Sequence, residues 1–398
     1  MATKDIASIS ENIQQQVSAF QADDETQRQI LLQSARNLVK ALEPPSERIG
    51  RMCYLDPLLF AATRVLLDLD VCQQLTAAET PMSASQLAET KGADPKLVER
   101  LLKHVCTEAF VQETGPDEYV ANDSTRLIAS PEGQGVIKDM FQIFKVGAAF
   151  PDFLKETKYA NPTNKDVSAW KHSMGTTQHY FEYIFTPGRE HMAEAFHNHM
   201  NFKTSSVKWH DSPELRSALF GYVSKSEKDV LIVDMGGSNG RDLVDFRKAR
   251  PGQKGRLILQ DLPATIEGTD TNALAAQGVE ATAHDFFTPQ PIKGAKAYYL
   301  KMVLHDWPDE QCRQILSNIK PALKAGHSRI LLNEVVVPET GAQWYETSLD
   351  VLMMTVHSAQ ERREREWRAL VESVGGLKVN KIWTVKGAVE KVIEIELA

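Results

Sequence analysis

From Asp229 onward the chain changes texture, and this change constrains its fold more than any other feature. Residues 230–234 (Val-Leu-Ile-Val-Asp) form a short, bulky apolar run that suits a strand buried on both faces. Residues 256–260 (Arg-Leu-Ile-Leu-Gln), 297–300 (Ala-Tyr-Tyr-Leu) and 329–333 (Arg-Ile-Leu-Leu-Asn) repeat it. Stretches of helical character separate these runs, 309–323 among them. Strands alternating with helices predict an α/β fold, a Rossmann-like doubly wound parallel sheet. Ligands of such sheets bind beyond the carboxyl ends of the strands. The residues that follow each run are therefore the ones to read for chemistry.

Upstream the chain reads as helical. Residues 1 to about 45 carry no Gly and no Pro before Pro44, and Ile30, Leu31, Ala35, Leu38, Val39 and Leu42 recur at helical spacing. Two placements stay open for this stretch: against a partner subunit, or folded back on its own domain. Between Leu55 and Pro131 we expect a helix over 59–69, one capped by Ser83 or Ser85, and one from Asp94-Pro95 to Cys106. A hairpin follows, with strands at 110–112 and 119–121 around Gly115-Pro116-Asp117. That order is a winged-helix pattern. Its third helix is only weakly basic, which favours a structural or dimerising role over DNA reading. Residues 132–205 are again helical and crowd Trp170, His172, Met174, His179, Tyr180 and Phe181 into one stretch. They suit either a buried core or an apolar pocket for an aromatic or polyketide-like ligand. The expected division is 1–130, a helical and winged-helix dimerisation domain; 131–215, a helical connector lining a substrate pocket; and 216–398, the sheet domain.

Composition narrows the partners. The formal net charge of −8 over 398 residues argues against a nucleic-acid binder. Cys53, Cys72, Cys106 and Cys312 form no C-x-x-C pair, so neither a structural zinc site nor a disulfide framework is expected. Scattered thiols suit a reducing cytoplasm. The N-terminal residues lack a signal-peptide pattern, and no apolar run reaches membrane-span length. A soluble protein with no metal, no nucleic acid and no membrane partner is the expectation.

The first strand runs directly into Met235-Gly236-Gly237-Ser238-Asn239-Gly240, and a helix follows. Glycines there let the backbone turn tightly and approach a ligand. Three chemistries use such a loop. Dinucleotide binding wants G-x-G-x-x-G, which this loop does not supply. A hydrolase nucleophile elbow, G-x-S-x-G, matches by letter with Ser238 as nucleophile, but the chain before Asp229 lacks the strands that usually precede one. S-adenosylmethionine binding wants an acid at the end of the next strand for the ribose hydroxyls, and Gln260-Asp261-Leu262-Pro263 provides it.

With these residues in view, the sequence resembles the plant and fungal small-molecule O-methyltransferases of the caffeate and flavonoid type. Four blocks carry the resemblance: 233–240; 260–263; Leu304-His305-Asp306-Trp307 with Asp309 and Cys312; and 350–354 running on to Glu361-Arg362 and Glu366-Trp367. Each is weak alone; their order and spacing are specific. The resemblance implies S-adenosyl-L-methionine as cofactor and a homodimer built on the winged helix. It implies that Gly236 lies against the cofactor's methionine part, that Asp261 holds its ribose, that Asp285 and Phe286 flank its adenine, and that Lys301 sits beside it. His305 is then the general base, Glu334 and Glu361 flank and orient it, and Asp306 has a supporting role. Phe181, Met353 and Met354, with Tyr180, are candidate substrate contacts or ordinary core. The loop departs from the family at Ser238 and Asn239.

The implied chemistry is coherent. A sulfonium methyl is already activated, so the protein must chiefly align an oxygen with it. A phenol, with a pKa near about 10, is mostly protonated at neutral pH, and a histidine within reach can take its proton. A carboxylate on the other ring nitrogen fixes the tautomer. Transfer to an aromatic or enolic hydroxyl in fungal-style secondary metabolism is the expected activity. Two rivals are pericyclic or dehydration chemistry with the methyl retained, and a non-catalytic binding protein built on the winged helix.

Overall fold

In the computed structural model the long N-terminal stretch is two helices, Thr3–Ala19 and Glu25–Leu42. Asp24 makes the break: its carboxylate accepts the backbone N–H groups of Thr26 and Gln27 at 2.9 and 3.1 Å, capping the second helix. The stretch is helical as expected, and the break within it went unmarked because a capping acid needs neither Gly nor Pro. The structure describes residues 3–21, 24–202, 207–220 and 226–398. They divide into two units, Met1–Phe144 with Ile184–Thr204 and Lys145–Tyr183 with Ser205–Ala398.

In the first unit, helices Asp56–Asp68, Val71–Ala77, Ala84–Glu89 and Pro95–Cys106 pack around Leu66, Leu75, Leu87, Val98 and Leu102. Ser83 caps the third with Gln86 completing a capping box, and Asp94 caps the fourth, where Pro95 supplies a preset first turn. The hairpin pairs β1 (Gln112–Gly115) with β2 (Glu118–Val120). Its first strand starts two residues later than expected. Ala109 is left-handed at φ 55°, and the Phe110 N–H still bonds the Val105 carbonyl, so the chain there is closing the preceding helix. Helix Glu190–Asn201 lies in the same unit, where a side chain at Gly135 would overlap the Asn198 Cβ at 2.4 Å. His199 Nδ1 meets the buried Asp139 carboxylate there at 2.7 Å.

The second unit holds a seven-stranded sheet of β3 (Val230–Met235), β4 (Arg256–Asp261), β5 (Val279–Ala283), β6 (Ala297–Lys301), β7 (Arg329–Glu334), β10 (Leu377–Thr384) and β11 (Lys391–Leu397). A separate parallel pair joins β8 (Val336–Val337) to β9 (Arg362–Arg363). The order across the large sheet is β10-β11-β7-β6-β3-β4-β5. The five strands from β5 to β7 are parallel, as expected. The expectation of a wholly parallel sheet needs correction, because β11 and β10 close one edge as an antiparallel hairpin. From β3 the chain winds to β4 and β5 on one side, then returns to β6 on the other. The connections leaving β3 and β6 therefore diverge, opening a crevice at their carboxyl ends. Alternate residues serve opposite faces: Val233, Tyr298 and Leu332 pack with helices Asp309–Ile319 and Glu364–Ser373, whereas Ile232, Tyr299 and Leu331 pack with helix Arg241–Ala249. Among the described residues no helix is long and apolar enough to cross a membrane.

Candidate active site

The glycine loop leaves β3 at this crevice. Gly236 is left-handed at φ 75°, and its N–H bonds the Gln260 carbonyl at 2.7 Å. A Cβ there would sit 3.1 Å from Val303 Cγ2 and 3.7 Å from the Phe286 ring, and one at Gly237 would overlap the Asp234 carboxyl at 2.5 Å. Only glycine fits both positions without pushing these side chains aside. Asp234 lies buried beneath it, and burial, with Asp242 nearby, holds its carboxyl well above the ordinary range.

Asp261 ends β4. Its two oxygens accept the Ser238 and Leu262 backbone N–H groups, each at 2.8 Å, so it braces the loop and fixes its own orientation. Each oxygen keeps a second lone pair for a hydroxyl donor. The turn after β5 brings His284, Asp285 and Phe286 alongside: the His284 N–H bonds the Asp261 carbonyl at 2.8 Å, and Asp285 accepts the Phe287 N–H at 2.9 Å. His284 Nε2 is buried without a partner. Lys301, at the end of β6, gives its ammonium to Asp242 at 3.0 Å, and the Tyr299 hydroxyl donates to the same carboxylate at 3.1 Å. Burial would raise Asp242, but Lys301, Lys208 and these hydrogen bonds outweigh it and hold it low. The glycine loop, the Asp261 carboxylate with acceptor capacity left on each oxygen and the orphaned His284 nitrogen together fit a nucleoside carrying an extended chain.

His305 sits on the short turn Leu304–Asp306 that follows β6, and it is buried. Two residues pin that turn. Glu334, at the end of β7, accepts the Val303 and Leu304 N–H groups through Oε1 at 3.1 and 2.8 Å. Arg362 donates to the Leu304 and Trp307 carbonyls at 3.2 and 2.9 Å and to Asp309 at 2.8 Å. With its backbone fixed, His305 places Nδ1 2.7 Å from Glu361 Oε1. Of the two expected acids, Glu361 therefore meets the ring and Glu334 holds the backbone beneath it. Glu361 precedes β9 and stands on no helix face, and its own N–H is held by Asp350 at 2.9 Å. His305 Nε2 lies 3.5 Å from Asp306 Oδ1.

Burial alone would lower the His305 pKa, but Asp306, Glu361 and Glu334 push it up to about 10. Burial in turn lifts Asp306 to about 6 and Glu334 to about 7, against the pull of His305. Glu334 Oε2 and Glu361 Oε2 are buried without partners and are free to accept.

On helix Trp344–His357, Met353 is buried and Met354 half-buried. Phe181 stacks on His357 with centroids 5.3 Å apart, and Tyr180 meets Trp170 edge-on at 5.0 Å. Sequence reasoning missed Arg362 and His357. Arg362 directly follows Glu361 in one of the blocks that carry the resemblance, so its neighbour was a signal. Nothing local marks His357.

Comparison with known proteins identifies the family. A family model for the O-methyltransferase domain matches residues 159–376. The demethylsterigmatocystin 6-O-methyltransferase of Aspergillus parasiticus is 36% identical over 80% of this chain and 80% of its own. A solved structure described as a pericyclic reaction enzyme matches with a TM-score of 0.88 and 30% identity, covering 100% of both chains. LepI in complex with S-adenosylmethionine matches with a TM-score of 0.87 and 30% identity over 99% of both. The family match, the glycine cradle with Asp261 and the buried His305–Glu361 pair converge, and the chain belongs to the S-adenosylmethionine-dependent O-methyltransferases.

Proposed function

We propose that this enzyme methylates a hydroxyl of an aromatic or enolic natural product, with His305 as general base. The observation that carries the proposal is the 2.7 Å contact between His305 Nδ1 and the buried Glu361. With Nδ1 donating to that carboxylate, Nε2 is the nitrogen that takes a proton. Glu361 holds the tautomer and stabilises the imidazolium, and Glu334 keeps the turn in place. Gly236, Asp261, Asp285, Phe286 and Lys301 would hold the cofactor. S-adenosylmethionine, when bound, supplies a methyl group already activated on a sulfonium. The chain's own task is to orient the acceptor oxygen and remove its proton as attack proceeds. A phenol's pKa near about 10 lies close to that of His305, so proton transfer between them is nearly balanced. A much weaker acid, such as an aliphatic alcohol, would not be served so well. Phe181, Met353 and Met354 are the proposed substrate contacts.

The test is incubation with labelled S-adenosylmethionine and a panel of phenols and enols. Label transfer by the unaltered enzyme should fall by about 10²–10⁴-fold in His305→Ala. Substrate conversion without release of S-adenosylhomocysteine would favour a second reading, pericyclic or dehydration chemistry, to which the likeness to a pericyclic reaction enzyme lends support.

We also infer that residues 1–130, with their winged-helix order, pair two copies of the chain, that 131–215 contribute substrate contacts and that 216–398 carry the cofactor site. Helix Glu25–Leu42 buries none of its residues, and Ile30, Val39 and Leu42 are exposed. Exposed apolar side chains of that kind support association with a second copy. The cysteines are unpaired, which suits a reducing cytoplasm and a place in secondary metabolism there.

A further inference from the structure

We propose that His357 and His179 are positioning residues that hold the Asp306 carboxylate between two imidazoles and so keep His305 Nε2 open to the substrate hydroxyl. The inference rests on the reading of His305 as the base and extends it to a pair of histidines outside the catalytic set.

Asp306 Oδ1 stands 3.5 Å from His305 Nε2 and the same 3.5 Å from His357 Nε2. His357 Nδ1 lies 3.2 Å from His179 Nε2. Aromatic faces hold both rings: His179 stacks on Trp307 with centroids 4.7 Å apart and planes 11° apart, and His357 stacks on Phe181. Both histidines are buried, and burial keeps them neutral, His179 at about 4 and His357 well below its ordinary value.

A neutral imidazole has one donor and one acceptor nitrogen. Asp306 is an anion at neutral pH, so His357 must turn its donor, Nε2–H, toward it. Its Nδ1 is then an acceptor, which requires His179 to donate from Nε2. The pair therefore has one internally consistent polarity: His179 Nε2–H donates to His357 Nδ1, and His357 Nε2–H points at Asp306.

The consequence falls on the base. Asp306 is an acidic neighbour of the nitrogen that must receive the proton. Undivided, the carboxylate would close on Nε2, raise the basicity of His305 further and occupy the position the substrate oxygen needs. Shared with His357, it stays at 3.5 Å from either ring. The other charged groups acting on the network are Glu361 and Glu334 on His305, and Lys171, Lys165 and Asp166 on His179.

The test reads the His305 ring directly by nitrogen NMR titration, which needs no turnover. In His357→Leu the His305 midpoint should rise by about one unit, and kcat/KM below the midpoint should fall about tenfold. In His357→Gln, whose amide both donates and accepts, the midpoint should stay near that of the unaltered enzyme. In an Asp306→Asn background, His357→Leu should add no further shift. The unaltered enzyme should carry the ring proton of both His357 and His179 on Nε2, a measurement free of any folding defect in a variant. A proton on Nδ1 of His357, an unmoved midpoint in His357→Leu, or a Gln variant as impaired as the Leu variant would each overturn the proposal. Absence of methyl transfer by the unaltered enzyme would instead refute the base reading, and the NMR result would still decide whether the histidines hold Asp306.

Discussion

At His305 three carboxylates act on one imidazole, and their combined pull exceeds the burial penalty that a lone buried histidine would show. Only the unprotonated ring can accept a proton. With the pKa held at about 10, the activity of the free enzyme should rise with pH through the neutral range toward that value. Glu361→Gln keeps an acceptor for Nδ1 but removes one charge. The His305 pKa should then fall by about 1–3 units, and the acid limb of the kcat/KM profile should move to lower pH with it. Plateau kcat should drop, because a neutral amide stabilises the imidazolium less. A pH–rate profile of the variant checks both, and a limb that stayed in place would remove Glu361 from the base's electrostatics. The candidate residues stood out in the sequence because they close or follow strands, Asp261 at the end of β4, His305 after β6 and Glu334 at the end of β7, and the resemblance implied their roles. The division of labour between Glu334 and Glu361 was not legible there. It depends on which acid reaches the ring, and that is set by a segment 56 residues away in sequence.

The turn carrying His305 shows how a short element is made rigid. Residues 303–308 hold only the short turn Leu304–Asp306 and no long helix to stiffen them. Glu334 ties their N–H groups from β7, and Arg362 ties their carbonyls from β9, with its guanidinium also 5.0 Å from the Trp367 ring. Arg362 is fully buried, so removing it leaves the Leu304 and Trp307 carbonyls only the weak Cys312 thiol and, for Leu304, the Trp307 N–H as donors, and takes a partner from Asp309. Arg362→Met should lower unfolding stability by about 2–5 kcal/mol, a large part of the roughly 5–15 kcal/mol typical of a domain. It should also reduce kcat more than it weakens cofactor binding, because the loosened turn bears the base and not the glycine loop. Denaturant melts and isothermal titration with the cofactor separate the two effects. Among the elements, those with a local signal were read closely: Asp94-Pro95 opens a helix where expected, and the four apolar runs are strands β3, β4, β6 and β7. Of the missed strands of the large sheet, β5 and β10 lie at its edges, whereas β11 runs between β10 and β7. β5 carries Glu280 and Thr282 among small residues, and β10 alternates Lys378 and Asn380 with apolar neighbours. A strand exposed on one side lacks the continuous apolar run that marks a central one.

For the molecule as a whole, the sheet's topology explains why one loop and one turn from distant parts of the sequence serve a single reaction. Chain order reverses between β3 and β6, so the segments leaving them open the crevice where a ligand can lie. Alternating strands and helices made that architecture readable. Association is a different matter, because it depends on what the N-terminal helices leave uncovered, and apolar periodicity alone does not tell a face that packs inward from one that does not. In the structure Val17, Ile30, Val39, Leu42, Ile49 and Met52 are all exposed, and no residue of helix Glu25–Leu42 is fully buried. A soluble monomer rarely leaves so many apolar side chains along consecutive helices in water. If a second copy covers them, the full-length chain should show a dimer mass by light scattering, and a chain beginning at residue 46 should show a monomer mass. The association should persist in high salt, because burial of apolar surface is not screened as an ionic contact is. An unchanged mass after truncation would assign these helices to some other partner or to their own unit, and the exposed row would then need another explanation.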